Sequence, residues 1–312
     1  MSAPASEVGR LRAARRSTSA AFWRRPWLRG GALLAPPLLW FVVVYLLALV
    51  ALFVSAFWTV DPFTTELVKT WNIDNFKTIL GIDQSGAWWA DNATYVRIAL
   101  RTIGLAFAVT VTDAVVAFPL AYFMARMASS RTRTLLFVCV LIPLWASYLA
   151  RVYSWRLILA EDGVLNWTLG KLHLPALGVG YSTWAMWIVF SYIWMPFMIL
   201  PVYAALERIP SSYLEASRDL GARGGRTLRS VVLPLALPGI AAGSIFTFSL
   251  TLGDFITPQL VGGGQQFIAN VVYSNVGIAN NVPFAAAYAM VPVLVMVVYL
   301  AVAKRLGAFE AL

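Results

Sequence analysis

From Gly30 to Val60 the chain carries no Asp, Glu, Lys, Arg or His. An apolar run longer than about 20 residues is long enough, as an α-helix, to cross the hydrocarbon core of a bilayer. A single helix or a closed barrel is also all that can satisfy backbone polar groups in lipid. Five further stretches read the same way: Thr102–Ala125, whose one charge is Asp113; Leu135–Ala150, continuing toward Trp155; Ser182–Leu206; Val231–Leu252; and Phe284–Ala303. The expectation is an all-α, polytopic membrane protein with six transmembrane helices. Composition agrees. A chain of 312 residues with 60% hydrophobic and 12% charged residues has too few charges for a water-facing surface, where about 25% is usual. The first run is too long for a cleaved signal peptide, and no small-residue cleavage pattern closes it. Pro36 and Pro37 fall in its first turn, where a missing N–H costs least.

Several classes of chemistry drop out. The single cysteine, Cys139, excludes a disulfide framework and a thiolate metal cluster. The single histidine, His173, excludes a multi-histidine metal site and argues against Ser-His-Asp catalysis; it reads as an ordinary loop residue. No Gly-x-x-x-x-Gly-Lys-Ser/Thr phosphate loop is present: Gly170-Lys171 is followed by Leu172. The net charge of +10 would suggest nucleic acid in a soluble protein, but here it follows topology. Arg10, Arg12, Arg15, Arg16, Arg24, Arg25 and Arg29 precede the first span. Arg126, Arg131 and Arg133 lie between the second and third, and Arg208, Arg218, Arg223, Arg226 and Arg229 between the fourth and fifth. Lys304 and Arg305 follow the sixth. Positive charge collects on the cytoplasmic side, so both termini are expected there. That divides the chain into a basic cytoplasmic tail over residues 1–31, a membrane domain over 32–306 and a short cytoplasmic end over 307–312.

The longest outer loop, Thr59–Val96, is net negative through Asp61, Glu66, Asp74, Asp83 and Asp91 and carries Trp71, Trp88 and Trp89. It reads either as a solvated cap with interfacial tryptophans or as a docking surface for an extracytoplasmic partner. Gly163–Leu172 suggests a short interfacial helix, and Gly262-Gly263-Gly264 a tight turn.

The most specific segment runs from Leu214 to Gly239, LEASRDLGARGGRTLRSVVLPLALPG. Glu215-Ala216-Ser217 starts a short helix, with Ser211 or Ser212 as its N-cap after Pro210. Three residues on, Gly221 permits a sharp turn. Nine residues further come Val231 and then Leu233-Pro234. This arrangement resembles the EAA loop of binding-protein-dependent ABC transporter permeases: Glu-Ala-Ala, three residues, Gly, nine residues, Ile, any residue, Leu-Pro. Ser217 and Val231 depart from it, both conservatively in size.

Two further stretches narrow the likeness. Leu252-Gly253-Asp254-Phe255-Ile256-Thr257-Pro258 with Gly262-Gly263 resembles the LGDF-x-TP-x-L-x-GG segment of spermidine/putrescine-type permeases, and Phe118–Arg126 resembles their YPLAY-x-x-AR segment. The resemblance implies a type I ABC importer permease with a cytoplasmic coupling loop over about 208–232. In it Glu215, Ala216, Ser217 and Gly221 transmit the push of an ABC ATPase dimer. It implies that this chain binds no cofactor, with ATP and Mg held on the ATPase subunits. The other implied partners are a second, related permease subunit, an extracytoplasmic substrate-binding protein and the lipid of a bacterial plasma (inner) membrane.

Within the spans, Asp113 costs about 2.5–3.5 kcal/mol to insert at a helix centre, so it should face protein or water. Asp254 stands at the outer end of the fifth span. Either carboxylate suits a cationic solute such as a polyamine; either could instead serve an interhelical hydrogen bond or an ion pair with Arg97, Arg101 or Arg151. Trp194 and Tyr192, near Pro196 and Pro201, are candidate cavity walls through cation–π attraction, whereas Trp184 and Trp187 fit interface anchoring. The alternatives to an importer permease are a secondary transporter without an ATPase and a membrane-embedded enzyme. The first would favour a repeated half, which this sequence lacks. The second would need a cluster of titratable groups, and only Asp113 and Asp254 are available.

Overall fold

The computed structural model describes residues 26–61, 63–82 and 93–305. The arginines of the tail through Arg25, together with Asp83, Trp88, Trp89, Asp91 and residues 307–312, lie outside the described residues. The chain divides into two units, Met1–Ser55 and Ala56–Leu312.

In the first unit, α1 (Pro26–Trp40), a π-helical segment (Phe41–Leu46) and α2 (Leu47–Ser55) follow one another. Gly30–Ser55 is long and apolar enough to cross a membrane. It is apolar all round, which suits a helix in lipid.

The second unit opens with a small structured loop. Strands β1 (Thr59–Val60) and β2 (Leu67–Val68) pair antiparallel, Thr59 opposite Val68. Asp61 Oδ1 accepts the N–H groups of Phe63 (2.8 Å) and Thr64 (2.9 Å) between them. Those bonds favour the ionised form and hold the Asp61 carboxyl below the usual carboxylate range. Helix α3 (Asp74–Leu80) is pinned by Asn75 Nδ2, which donates to the Ala56 and Trp58 carbonyls at 2.9 and 2.8 Å.

Four more helices have membrane length. They are α4 (Thr94–Arg126), α8 (Thr183–Glu207), the continuous run Gly224–Gly253 and α14 (Val282–Arg305). The run Gly224–Gly253 comprises α10 (Gly224–Thr227), a π-helical segment (Leu228–Val232) and α11 (Leu233–Gly253). The π turn has a local reason. A proline ring collides with the carbonyl four residues back, here that of Ser230, and the wider turn moves this carbonyl aside before Pro234.

Helices α4, α8 and α11 form the core. One apolar cluster joins Ala121, Met124, Met198, Val202, Leu206 and Ala236. A second joins Val109, Val189, Phe190 and Ile193. Close approach of α11 to α8 depends on Gly239, where a Cβ would lie 2.4 Å from Ala205 Cβ and 2.7 Å from the Pro201 carbonyl oxygen. At the far end, Tyr288 of α14 is fully buried and its hydroxyl donates to the Tyr95 carbonyl at 2.7 Å.

The expected third span needs correction. Instead of running from Leu135 through Ala150, α5 (Ser130–Trp145) ends five residues earlier. The chain then turns by 98° into α6 (Tyr148–Leu159) and α7 (Val164–Lys171). Pro143 removes a helical rung, and Ala146 and Ser147 leave the helical conformation, with ψ of 146° and 133°. Hydropathy reports apolar composition but not direction, so the bend left no trace in it. Among the described residues five helices have membrane length, six if this bent pair counts as one span. Helix α7 coincides with the expected interfacial helix. Helix α8 passes through Pro196 and Pro201 as one unbroken helix. Helix α12 (Ile256–Val261) and α13 (Ile268–Gly277) complete the chain order between α11 and α14.

Candidate functional site

Two places hold the residues singled out by sequence. They lie at opposite ends of α11, whose 21 residues span about 30 Å at 1.5 Å per residue.

At one end, α9 (Ser211–Asp219) buries no residue. Its N-cap is Pro210 rather than Ser211 or Ser212; both serines already lie in the first turn, and no side chain caps the helix. Leu214 packs against the Leu206–Ile209 cluster, and Ser217 Oγ shares a 2.9 Å hydrogen bond with Thr227 Oγ1 of α10. Glu215 and Ala216 face solvent, and Leu220 is 88% exposed.

The C-terminus of α9 is closed by two backbone bonds. The Gly221 N–H donates to the Arg218 carbonyl (2.8 Å) and the Ala222 N–H to the Ser217 carbonyl (3.0 Å), the paired pattern of a Schellman cap. Gly221 has φ +78°, and a Cβ there would touch nothing within 4 Å. Glycine is required at this point by conformation, not by crowding. The result is a short, rigid, exposed helix on a sharp turn, joined to the start of a membrane-length helix.

At the other end, Tyr148, Trp194, Gly253, Asp254 and Phe255 line an open cleft of about 340 Å³. Asp254 is firmly held. Its Oδ1 accepts the N–H groups of Ile256 (2.8 Å) and Thr257 (2.9 Å), capping α12, and its Oδ2 accepts the Tyr148 hydroxyl. Tyr148 also shares a hydrogen bond with Thr257 Oγ1 at 2.7 Å and stacks on Trp194, ring centres 5.8 Å apart. Trp194 Nε1 has no hydrogen-bond partner among the described residues. The Arg151 guanidinium lies 5.8 Å from the Tyr148 ring centre, with Nε and Nη1 likewise unpartnered.

Trp194 and Asp254 are thus brought together, and the other two candidates are not. Tyr192 points elsewhere on α8, is 38% exposed and packs on Trp155 at 5.2 Å. Asp113 is fully buried. Among the described residues neither carboxylate oxygen of Asp113 has a hydrogen-bond partner of normal geometry, nor does Ser191 Oγ, which faces it from α8. Trp187, expected at the interface, donates from Nε1 to Thr112 Oγ1 of α4 at 3.0 Å. Tyr148 and Phe255 escaped the sequence reading. Tyr148 lies just after the unforeseen bend, and no local pattern marks it.

Five helices of membrane length among the described residues, three of them packed into one core, with a rigid helix and glycine turn exposed at one end, describe a multi-pass membrane protein. Residues 117–308 match the family described as binding-protein-dependent transport system inner membrane component, and the chain belongs to that family. It is therefore a permease subunit of an ABC importer, an inner-membrane protein. The chain is 47% identical to the inner membrane ABC transporter permease protein YdcU of Escherichia coli (strain K12), over 93% of this chain and 94% of that protein. It is 29% identical to the spermidine/putrescine transport system permease protein PotB of the same organism, over 82% of this chain and 90% of that one. Among solved structures, a chain of a bacterial alginate ABC transporter, crystallised with its alginate pentasaccharide-bound periplasmic protein, superposes with a TM-score of 0.72. Its identity is 18%, covering 92% of this chain and 96% of that one, a likeness of fold. Family membership decides against the secondary-transporter and membrane-enzyme alternatives.

Proposed function

We propose that the chain forms, with a second related permease, the translocation path for a small amine-bearing solute of the polyamine type. The observation that carries this reading is the cleft: a fixed carboxylate, Asp254, beside the aromatic faces of Tyr148 and Trp194. Ammonium groups are attracted by both carboxylates and aromatic faces. PotB supports it at 29% identity, while YdcU, at higher identity, is named only as a permease. An extracytoplasmic binding protein delivers the solute to the Asp254 end. At the α9 end, Glu215, Ala216, Ser217 and Gly221 meet an ABC ATPase dimer, which holds ATP and Mg. Its closure pushes α9, and the membrane helices alternate between inward- and outward-open arrangements. Both termini are then cytoplasmic.

The guanidinium of Arg151 favours a second reading. A cation over the Tyr148 ring, whose hydroxyl bonds Asp254, would suit a solute bearing both an amine and a carboxylate. Uptake of labelled putrescine, with competition by spermidine, by an amino acid and by a neutral sugar, separates these readings. Competition by spermidine alone supports the polyamine. Competition by the amino acid supports the second reading. Competition by the sugar alone removes both and leaves the permease assignment standing.

A further inference from the structure

Helix α8 leads into α9 through Arg208, Ile209 and Pro210. The last carbonyls of any helix lack intrahelical partners, and here one gap is fixed by sequence. The Leu206 carbonyl would ordinarily accept the N–H of residue 210, which is proline and has none. The backbone donors it does have are poorly placed: the Ile209 N–H at 3.4 Å and the Arg208 N–H, which is shared with the Ala204 carbonyl. Arg126, the last residue of α4, fills the gap. Its Nη2 donates to the Leu206 carbonyl at 2.5 Å and to the Ile209 carbonyl at 2.5 Å. One guanidinium nitrogen thus grips the chain before the joint and at the joint itself.

The surroundings reinforce the grip. Leu206 and Ile209 are buried in the cluster that also holds Met124, Ala125 and Leu214 of α9. Arg133 of α5 donates from Nε to the Met124 carbonyl at 3.1 Å and reaches Glu207 at 3.7 Å. Tyr203 donates to the same Glu207 carboxylate at 2.8 Å. The ends of α4, α5 and α8 therefore meet in one hydrogen-bonded node directly beside the root of α9.

We infer that Arg126 is a positioning residue that carries displacement of α9 into α4, so that α4 and α8 move as one body when the ATPase closes. A push on α9 reaches α8 through the covalent joint Ile209–Pro210. It reaches α4, 33 residues long and extending to Tyr95 at the far end, through the Arg126 bonds. Without them, α8 can give way at the joint while α4 stays behind. A lysine ammonium has enough N–H groups for both acceptors, but its nitrogen lies one bond nearer the backbone than Nη2, so lysine only partly substitutes.

The inference rests on reading α9 as the ATPase-coupled element, and the test separates the two. The whole transporter (this permease, its partner permease, ATPase and binding protein) is purified and reconstituted with Arg126→Gln, Arg126→Lys and, in parallel, Gly221→Val. The readouts are ATPase co-purification, ATP hydrolysis and solute moved per ATP hydrolysed. The expected result for Arg126→Gln is an intact complex with hydrolysis within about twofold of wild type and transport per ATP reduced at least tenfold. Arg126→Lys should fall between the two. Unchanged transport per ATP in Arg126→Gln overturns the inference. So does failure of Arg126→Gln and Arg126→Lys alike to assemble, which makes Arg126 a clamp of the fold and no more. Normal transport by Gly221→Val overturns the reading of α9 itself, whatever Arg126 does.

Discussion

The α9 end and the Asp254 end of the second unit are built on opposite plans. Helix α9 buries nothing and is tied down by Leu214 and one hydroxyl pair. Its rigidity is its own: nine residues, a closed C-terminal cap and a left-handed glycine. At the other end Asp254 itself is held on every side, although Trp194 Nε1 and two Arg151 nitrogens near it have no hydrogen-bond partner among the described residues. The carboxylate accepts two backbone amides and a tyrosine hydroxyl, and the tyrosine is stacked on a tryptophan. If α9 is the surface that an ATPase grasps, as proposed, it can stay bare until the partner arrives. A site that a solute passes must hold its charge in place beforehand, because an unpaired charge near lipid is costly. Substitutions at α9 should therefore alter transport with little change in stability, and substitutions around Asp254 should alter both.

The two membrane carboxylates sharpen this contrast most. Asp113 is buried with no hydrogen bond of normal geometry among the described residues, whereas Asp254 accepts three. Replacing them should move stability in opposite directions. Asp113→Leu removes a buried carboxyl that has no hydrogen bond of normal geometry among the described residues. It should raise the thermal midpoint of the detergent-purified protein; a lower midpoint would reveal a partner supplied within the assembly. Asp254→Ala removes the cap of α12 and the Tyr148 bond and should cost about 1.5–3 kcal/mol in the same assay. Asp254→Asn keeps an oxygen for the two amides, so its midpoint should stay near wild type while putrescine uptake falls several-fold. If uptake by Asp254→Asn is normal, Asp254 is a cap and nothing else.

At the α9 end the expected changes are smaller in stability and sharper in accessibility. A cysteine replacing Leu220, an 88% exposed position, should react with a membrane-impermeant maleimide only in opened membranes, and be shielded when the ATPase is bound. A cysteine replacing Phe63, 94% exposed, should react in intact cells. The reverse pattern would invert the orientation. The smallest effect is expected from Ser217→Ala, which loses one hydroxyl pair worth about 0.5–1.5 kcal/mol and should leave uptake within about twofold.

The same contrast governs what could be read from the sequence. The membrane helices were legible because lipid demands a long apolar run, and the ends of α8 lie within one residue of the expected Ser182–Leu206. Helix α9 and Gly221 were legible because their pattern is contiguous. The bend at Ala146–Ser147 was not, since apolar residues continue through it. The cleft was half legible. Asp254 and Trp194 stand out as a charge and a large ring in apolar surroundings, but Tyr148 joins them only through the bend, and Tyr192 is turned away although it is two residues from Trp194. The Arg126 bonds leave one faint mark in the sequence: Pro210 four residues after Leu206, which orphans a carbonyl.

The most direct test of α9 as the coupling element compares Gly221→Asn with Gly221→Val. A Cβ at this position meets nothing within 4 Å, and φ is +78°, a conformation asparagine tolerates and valine does not. Solute uptake should be largely retained by Gly221→Asn and fall at least tenfold in Gly221→Val, with both proteins inserted and both carrying the ATPase. Equal, wild-type uptake by the two variants would contradict the account.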